Sequence, residues 1–236
     1  MRLLVRKKFY EYYEREGKSL TATDVDRYYR GVFRFFSTHG CRTVILDRWL
    51  DSCRSNQKFL DVGCELGYFV RKLAGRGLEA RGIDLSPTKI GKARRIAEKL
   101  GVVCDFSVMD AENLQFEDNS FDWVLCSETL EHVPNDQAAI REIVRVSKEN
   151  IIITVPLKSP FWHVLNNFST IYGLDDLGAG HLREYTEQSL LKLLDNQVQV
   201  QEIQTGGYLT PFLDKILPNL SLFRAILCVK LKKKKH

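Results

Sequence analysis

The chain of 236 residues carries 35 lysines and arginines against 30 aspartates and glutamates, a formal net charge of +5, which excludes an acidic tail protein and a strongly basic nucleic-acid wrapper. At 44% hydrophobic and 28% charged it is an ordinary globular mixture, long enough for one large domain or two small ones. Its six cysteines (Cys41, Cys53, Cys64, Cys104, Cys126, Cys228) form no CxxC pair and no Cys/His run at zinc spacing, so they read as reduced thiols of a cytoplasmic protein with no metal site.

The first residues, Met1 to Lys8, reach charge before an apolar signal core can form, and no apolar run approaches about 18 residues. Neither a signal peptide nor a membrane span is expected. Residues 1–57 are rich in Tyr, Phe and Arg at helical spacing (Val32, Phe35, Phe36; then Val44, Leu46, Trp49, Leu50) and read as a helical extension, packed on the sheet domain or over its mouth. Within it Tyr28, Tyr29 and Arg30 are candidates to reach a ligand carboxylate, although helix-packing aromatics beside a solvated arginine are commoner.

From residue 58 short apolar runs alternate with amphipathic helical patterns, the signature of βαβ units and a mostly parallel sheet. Lys58 to Val62 reads as a buried strand, Gly63 to Gly67 as a turn and Tyr68 to Ala74 as a helix. A second strand runs from Glu79 to Ile83. Ser86 and Pro87 then supply an N-cap and a first-turn proline for a helix that buries Ile90, Ala93 and Ala97 and stops at Gly101. Strands follow at Val102 to Val108 and Phe121 to Cys126. Asp136 is placed to cap a helix burying Ile140, Ile143 and Val144. Ile151 to Val155 is a strand of β-branched residues ended by Pro156.

The 29 residues from Pro156 to Glu184 are too long for a simple connection and read as a lid, carrying Phe161, Trp162, His163, Phe168 and Tyr172. Thr186 caps a helix with Leu190, Leu191 and Leu194. Two more strands, Val198 to Ile203 and Phe223 to Leu231, complete a seven-stranded α/β architecture spanning 58–231. A basic tail, 232–236, follows. With the lysines of that tail and a net-basic first twenty residues set aside, the body is close to neutral. No nucleic-acid partner is therefore expected, and the tail is the one feature suited to an anionic membrane surface.

In an open α/β sheet the ligand lies beyond the carboxyl ends of the strands, where the chain order reverses. The turn Gly63-Cys-Glu-Leu-Gly67 falls there, and Asp84 follows Gly63 by 21 residues, where a carboxylate can accept from both hydroxyls of a ribose. Glu65 stands where a dinucleotide fingerprint has its central glycine. A carboxylate there repels phosphate but suits a ligand with an amino group and a sulfonium. That difference favours S-adenosylmethionine over a nicotinamide dinucleotide.

Phe59-Leu-Asp-Val-Gly-Cys-Glu-Leu-Gly-Tyr-Phe69 resembles the first motif of class I S-adenosylmethionine-dependent methyltransferases. Gly82-Ile-Asp84 resembles their ribose-binding acidic motif, and Met109-Asp-Ala-Glu-Asn-Leu-Gln-Phe116 their adenine-contacting segment. Phe121 to Val133 is similar to the fourth-strand motif of the subfamily that includes ubiquinone and menaquinone biosynthesis methyltransferases, and Gly180 to Thr186 to a segment preceding that subfamily's next helix. Glu65 departs from the glycine many members carry.

The resemblance implies a Rossmann-like sandwich, S-adenosylmethionine as cofactor with S-adenosylhomocysteine as product, and methyl transfer to a small-molecule acceptor: a lipid, a quinone or another aromatic compound. It implies that Asp61, Gly63, Cys64 and Gly67 shape the methionine end, Asp84 binds the ribose, Leu85 packs on the adenine, Asp110 accepts its amine, Ala111 lends a backbone NH and Ser127 faces the sulfonium. Cys64 by itself reads as a small packing residue. His132, just past the fourth strand, is a candidate base, and His181, Arg183 and Tyr185 are candidate substrate contacts; structural hydrogen bonding is the alternative for each. Two other functions stay open, a catalytically silent binding module that docks a partner and a nicotinamide-dependent oxidoreductase.

Overall fold

The computed structural model describes residues 38–158, 181–194, 197–207 and 224–234. The lid expected over 156–184 and the tyrosine pair Tyr28 and Tyr29 with Arg30 fall largely or wholly outside the described residues.

Five helices and seven strands are described, in the order α1 (Thr38–Leu50), β1 (Lys58–Val62), α2 (Tyr68–Ala74), β2 (Glu79–Asp84), α3 (Pro87–Leu100), β3 (Asp105–Val108), β4 (Phe121–Ser127), α4 (Asp136–Val146), β5 (Ser147–Pro156), α5 (Glu187–Leu194), β6 (Val198–Gly207) and β7 (Arg224–Lys233). The strands form one sheet in the order β3-β2-β1-β4-β5-β7-β6. The pairs from β3 to β5 are parallel, and β7 runs antiparallel between β5 and β6. The order reverses between β1 and β4, so a crevice opens at their carboxyl ends.

Alternation along the strands divides the core between the two faces of the sheet. Phe59, Trp123, Leu125 and Ile152 pack with Leu46, Trp49, Val70, Leu73, Ile90 and Phe106 on the face covered by α1, α2 and α3. Leu60, Val124, Cys126, Ile151 and Ile153 pack with Ile140, Ile143, Val144, Leu190 and Leu194 on the face covered by α4 and α5. Ile151, Ile152 and Ile153 are all fully buried, which is why the run reads as continuous rather than alternating hydrophobicity. Each such side chain contributes about 1.5–3 kcal/mol.

The helix punctuation follows local chemistry. Ser86 Oγ accepts from the Lys89 amide at 3.1 Å, and Gly101 ends α3 with φ 65°. Thr186 Oγ1 accepts from the Ser189 amide at 3.1 Å while Ser189 Oγ accepts from the Thr186 amide at 2.8 Å, a reciprocal cap for α5. The cap of α4 is one residue earlier than expected, because Asn135 Oδ1 accepts from the Ala138 amide at 3.1 Å and Asp136 enters the first turn.

The described part of the 1–57 extension packs on the sheet domain, one of its two expected placements: α1 buries Leu46, Trp49 and Leu50 in the same core as Phe59, and Arg48 and Trp49 bind the Glu202 carboxylate of β6 at 2.6 and 2.7 Å. One boundary differs from the sequence reading, since the expected tail begins too early. Lys232 and Lys233 lie in β7; Lys232 pairs with Glu149 at 2.9 Å, and Lys233 Nζ donates to Asn119 Oδ1 at 2.7 Å and the Ser147 carbonyl at 2.9 Å. Among the described residues no helix is long and apolar enough to cross a membrane.

Candidate functional site

The turn after β1 is built by three residues with left-handed backbone, Gly63 (φ 79°), Glu65 (φ 52°) and Gly67 (φ 73°). The Gly63 and Cys64 amides both donate to the Ile83 carbonyl at 2.8 Å, which joins the exits of β1 and β2, and the Gly67 amide donates to the Cys64 carbonyl at 2.7 Å. A Cβ on Gly67 would meet Phe106 Cε1 at 2.3 Å, so this glycine is set by packing as well as by φ. Cys64 is buried, and a Cβ on Gly82 would lie 2.7 Å from its sulfur. Burial, with Asp61, Asp84 and Glu65 nearby, holds its thiol well above the ordinary range. Its side chain is a packing element, as its residue type by itself suggests.

Three carboxylates converge on this turn. Asp84 is buried and its two oxygens accept from the Glu65 amide at 3.1 Å and the Ser86 amide at 2.9 Å, bridging the turn to the start of α3. Each oxygen keeps further acceptor capacity. Burial pushes the Asp61 carboxyl up to about 8 against the pull of Arg42, and Asp84 and Glu65 add to the rise. A ligand that brings positive charge relieves this crowding, whereas a pyrophosphate adds to it. The residues present therefore fit S-adenosylmethionine.

The Asp84 carbonyl accepts from the Met109 amide at 3.1 Å, which places the 109–111 segment beside the turn. Asp110 Oδ1 accepts from the Glu112 amide at 2.9 Å and so caps its own turn. Asp110, Ala111 and Leu85 are each half-buried.

At the exit of β4, Ser127 Oγ lies 2.9 Å from Thr154 Oγ1. Thr154 donates to Glu128 Oε1 at 3.0 Å, so its one proton is used and Ser127 is the donor of the first contact. Glu128 (φ 51°) turns the chain, and its other oxygen faces Arg42 Nη1 at 3.8 Å. Thr129 Oγ1 stands 3.2 Å from the Val62 carbonyl and 3.1 Å from that of Ser127. Glu131 is fully buried, and neither of its carboxylate oxygens has a hydrogen-bond partner among the described residues. Burial and the neighbouring Glu128 push it well above the usual carboxylate range. His132 Nε2 lies 3.9 Å from Glu131 Oε1, and the His132 and His181 rings meet edge to face, 4.8 Å between centroids at an interplanar angle of 64°.

His181 thus joins His132 at the β4 exit, and the Leu182 amide donating to the Glu131 carbonyl at 2.7 Å anchors it there. Arg183 and Tyr185 do not face the same space. Arg183 donates to the carbonyls of Leu130 (3.0 Å), Val133 and Pro134 (2.9 Å) and lies 3.5 Å from Asp136. The buried Tyr185 hydroxyl stands 2.9 Å from Asp136 Oδ2 and 3.3 Å from the Leu130 carbonyl. These two side chains brace the 128–135 loop, the structural hydrogen bonding held as the alternative to substrate contact.

Arg42, Glu128 and Glu131 were not singled out by sequence reasoning. The available signal was two glutamates and a histidine, Glu128-x-x-Glu131-His132, directly after an apolar strand. Arg42 carried none, because its place beside Asp61 and Glu128 depends on how α1 docks.

Residues 60–154 match the model of a family described as a methyltransferase domain. The chain is 32% identical over 159 residues to a ubiquinone biosynthesis O-methyltransferase of Azoarcus sp. (strain BH72), covering 66% of this chain and 65% of that enzyme. It is 35% identical over 108 residues to norajmaline N-methyltransferase of Rauvolfia serpentina, covering 44% of this chain and 37% of that enzyme. The chain therefore spans less than two thirds of the length of these relatives. Among solved structures, magnesium protoporphyrin IX methyltransferase from Synechocystis PCC 6803 with bound SAH superposes with a TM-score of 0.66 at 19% identity, over 90% of this chain and 95% of that one. The cyclase SpnF superposes equally well, with a TM-score of 0.66 at 19% identity over 85% and 83%. At such identity the likeness is one of fold, and fold alone does not decide chemistry.

Proposed function

Because the chain belongs to the class I S-adenosylmethionine-dependent methyltransferases, we propose that it transfers a methyl group from S-adenosylmethionine to a small-molecule acceptor and releases S-adenosylhomocysteine. The observation that carries this reading is the convergence of Asp61, Glu65 and Asp84 on a glycine turn at the reversal point of the sheet. That charge favours a ligand with an ammonium and a sulfonium and disfavours the pyrophosphate of a nicotinamide dinucleotide.

When bound, the cofactor supplies a methyl already activated on a sulfonium. The chain's own residues bind and orient: Asp61, Gly63 and Gly67 at the methionine end, Asp84 at the ribose, Leu85, Asp110 and Ala111 at the adenine, and Ser127 near the sulfonium. Holding an acceptor in line for attack is worth about 7–11 kcal/mol. The acceptor we favour is the hydroxyl of a quinone precursor or similar aromatic compound. The O-methyltransferase activity named for the ubiquinone-biosynthesis relatives supports it, as does the pairing of the His132 and His181 imidazoles, groups able to help an oxygen acceptor lose its proton.

Calorimetry with S-adenosylmethionine and S-adenosylhomocysteine tests the binding step. Micromolar binding that is lost in Asp84→Ala is expected; no binding of either compound, or binding unchanged in the variant, rejects the proposal. A methyl-donor assay over aromatic and quinol hydroxyl compounds tests the transfer. Binding without turnover across that panel favours the silent module instead.

A further inference from the structure

Resting on the methyltransferase reading, which sets Ser127 beside the cofactor sulfur, we infer that Thr154 is a positioning residue: together with Glu128 it orients the Ser127 hydroxyl so that lone pairs, and not the proton, face the sulfonium.

Ser127 stands one position beyond the Val62–Cys126 pair of β1 and β4, level with Gly63 at the mouth of the crevice, and is half-buried. Its register partner on β5 is Thr154, so both side chains lie on one face of the sheet. Thr154 is fully buried, and its hydroxyl is enclosed by two oxygens, Ser127 Oγ at 2.9 Å and Glu128 Oε1 at 3.0 Å. A hydroxyl has one proton to give. The oxygen that receives it sets the direction of the whole chain.

Glu128 receives it. Its second oxygen faces Arg42 Nη1 at 3.8 Å, and that guanidinium and the Thr154 hydroxyl both favour the carboxylate, against the burial that raises the group. The neighbouring Glu131 is fully buried with no partner for either oxygen among the described residues, and it is pushed well above the usual range by burial and then by Glu128. Of the two glutamates, Glu131 therefore holds a proton and Glu128 does not. A carboxylate only accepts, so donation runs from Ser127 to Thr154 to Glu128. With its proton committed to Thr154, Ser127 Oγ turns lone pairs alone to the crevice. A lone pair attracts the polarised C–H groups around a sulfonium and repels a thioether sulfur, which bears electron pairs of its own. The relay thus weights the site toward S-adenosylmethionine over S-adenosylhomocysteine and eases release of the product.

Calorimetric titration of the full chain with each compound reads the ratio of their affinities. Thr154→Val keeps the branched shape but leaves the Ser127 proton free to turn, and it is expected to lower the ratio of S-adenosylmethionine to S-adenosylhomocysteine affinity by about twofold or more. Thr154→Ser, which can both donate and accept, should stay within about twofold of wild type. Ser127→Ala should lower the ratio as Thr154→Val does, and adding Thr154→Val to it should move the ratio no further. A purely structural Thr154 would weaken both compounds alike. A fall of less than about twofold in Ser127→Ala, or in Thr154→Val shown to be folded by circular dichroism, overturns the inference, as does a further fall in the double variant; Ser127→Ala carries the test where Thr154→Val does not fold. Wild type that binds neither compound rejects the proposed function and this inference together, whereas wild-type binding with an unmoved ratio in the variants rejects the inference alone.

Discussion

A Cβ atom on Gly63 would lie 2.2 Å from Oγ1 of Thr129, so the first glycine of the turn and the threonine after β4 specify one another. Thr129 cannot retreat freely, because its hydroxyl is seated between the Val62 and Ser127 carbonyls at 3.2 and 3.1 Å. Gly63 also holds φ 79°, which a residue with a Cβ adopts only under strain. Gly63→Ala is therefore expected to cost about 1–3 kcal/mol in urea unfolding and to abolish cofactor binding in calorimetry. Adding Thr129→Ala should recover part of the stability by relieving the contact, leaving the φ term. A Gly63→Ala protein as stable as wild type would show that the turn is not constrained by this pair.

Asp61 gives the crevice a pH dependence of defined sign. Its carboxyl, pushed up to about 8, keeps a proton that the unfolded chain releases near pH 4. Stability from this group is thus complete below about pH 4, declines as pH rises toward about 8, and is flat above, with a slope no steeper than about 1.4 kcal/mol per pH unit. Asp61→Asn mimics the neutral form. Unfolding at about pH 5, 7 and 9 should find the variant close to wild type at the lowest value and increasingly the more stable at the higher two. A constant difference across the three would mean that Asp61 is ionised throughout. In wild type, binding of a cationic ligand should tighten as pH passes through about 8, since the ligand favours the carboxylate.

Much of this architecture is legible because it is written locally. Tyr68 to Ala74 and Lys58 to Val62 have the bounds their hydrophobic pattern gives, and Ser86, Pro87 and Gly101 delimit α3 by capping chemistry that needs no distant partner. The candidate site was legible where it is formed by turn residues, at Gly63, Gly67 and Asp84. It was not legible where tertiary contacts decide. Tyr185 and Arg183 look like polar mouth residues in sequence, yet the loop they support, 128–135, lies some fifty positions away in the chain. The two lysines absorbed into β7 look like tail until Glu149 and Asn119 are brought beside them.

Asp84 separates a scaffolding role from a ligand role. Its oxygens accept from two amides, and Asp84→Asn retains one acceptor while setting an NH2 against the other amide. The expected stability loss is about 1–3 kcal/mol. The expected loss of S-adenosylmethionine affinity is larger than unfolding explains, more than about tenfold (about 1.4 kcal/mol) at a temperature where circular dichroism shows the variant fully folded. Affinity within about twofold of wild type (about 0.4 kcal/mol) in that folded variant would remove Asp84 from the ribose site.

Arg183 and Tyr185 should behave as braces of the loop that carries Glu131 and His132. Tyr185→Phe removes a hydroxyl 2.9 Å from Asp136 and 3.3 Å from the Leu130 carbonyl and is expected to cost about 1–2 kcal/mol. Arg183→Ala strips donors from the carbonyls of Leu130, Val133 and Pro134, of which that of Leu130 keeps the Tyr185 hydroxyl, and should cost more, about 2–4 kcal/mol. Because the loop then loses its fixed position, kcat should fall while KM for the acceptor changes little. A direct substrate contact has the opposite signature: Tm preserved and KM raised. Measuring Tm with steady-state kinetics on both variants decides between them, and a raised KM at unchanged Tm would restore these residues to the acceptor pocket.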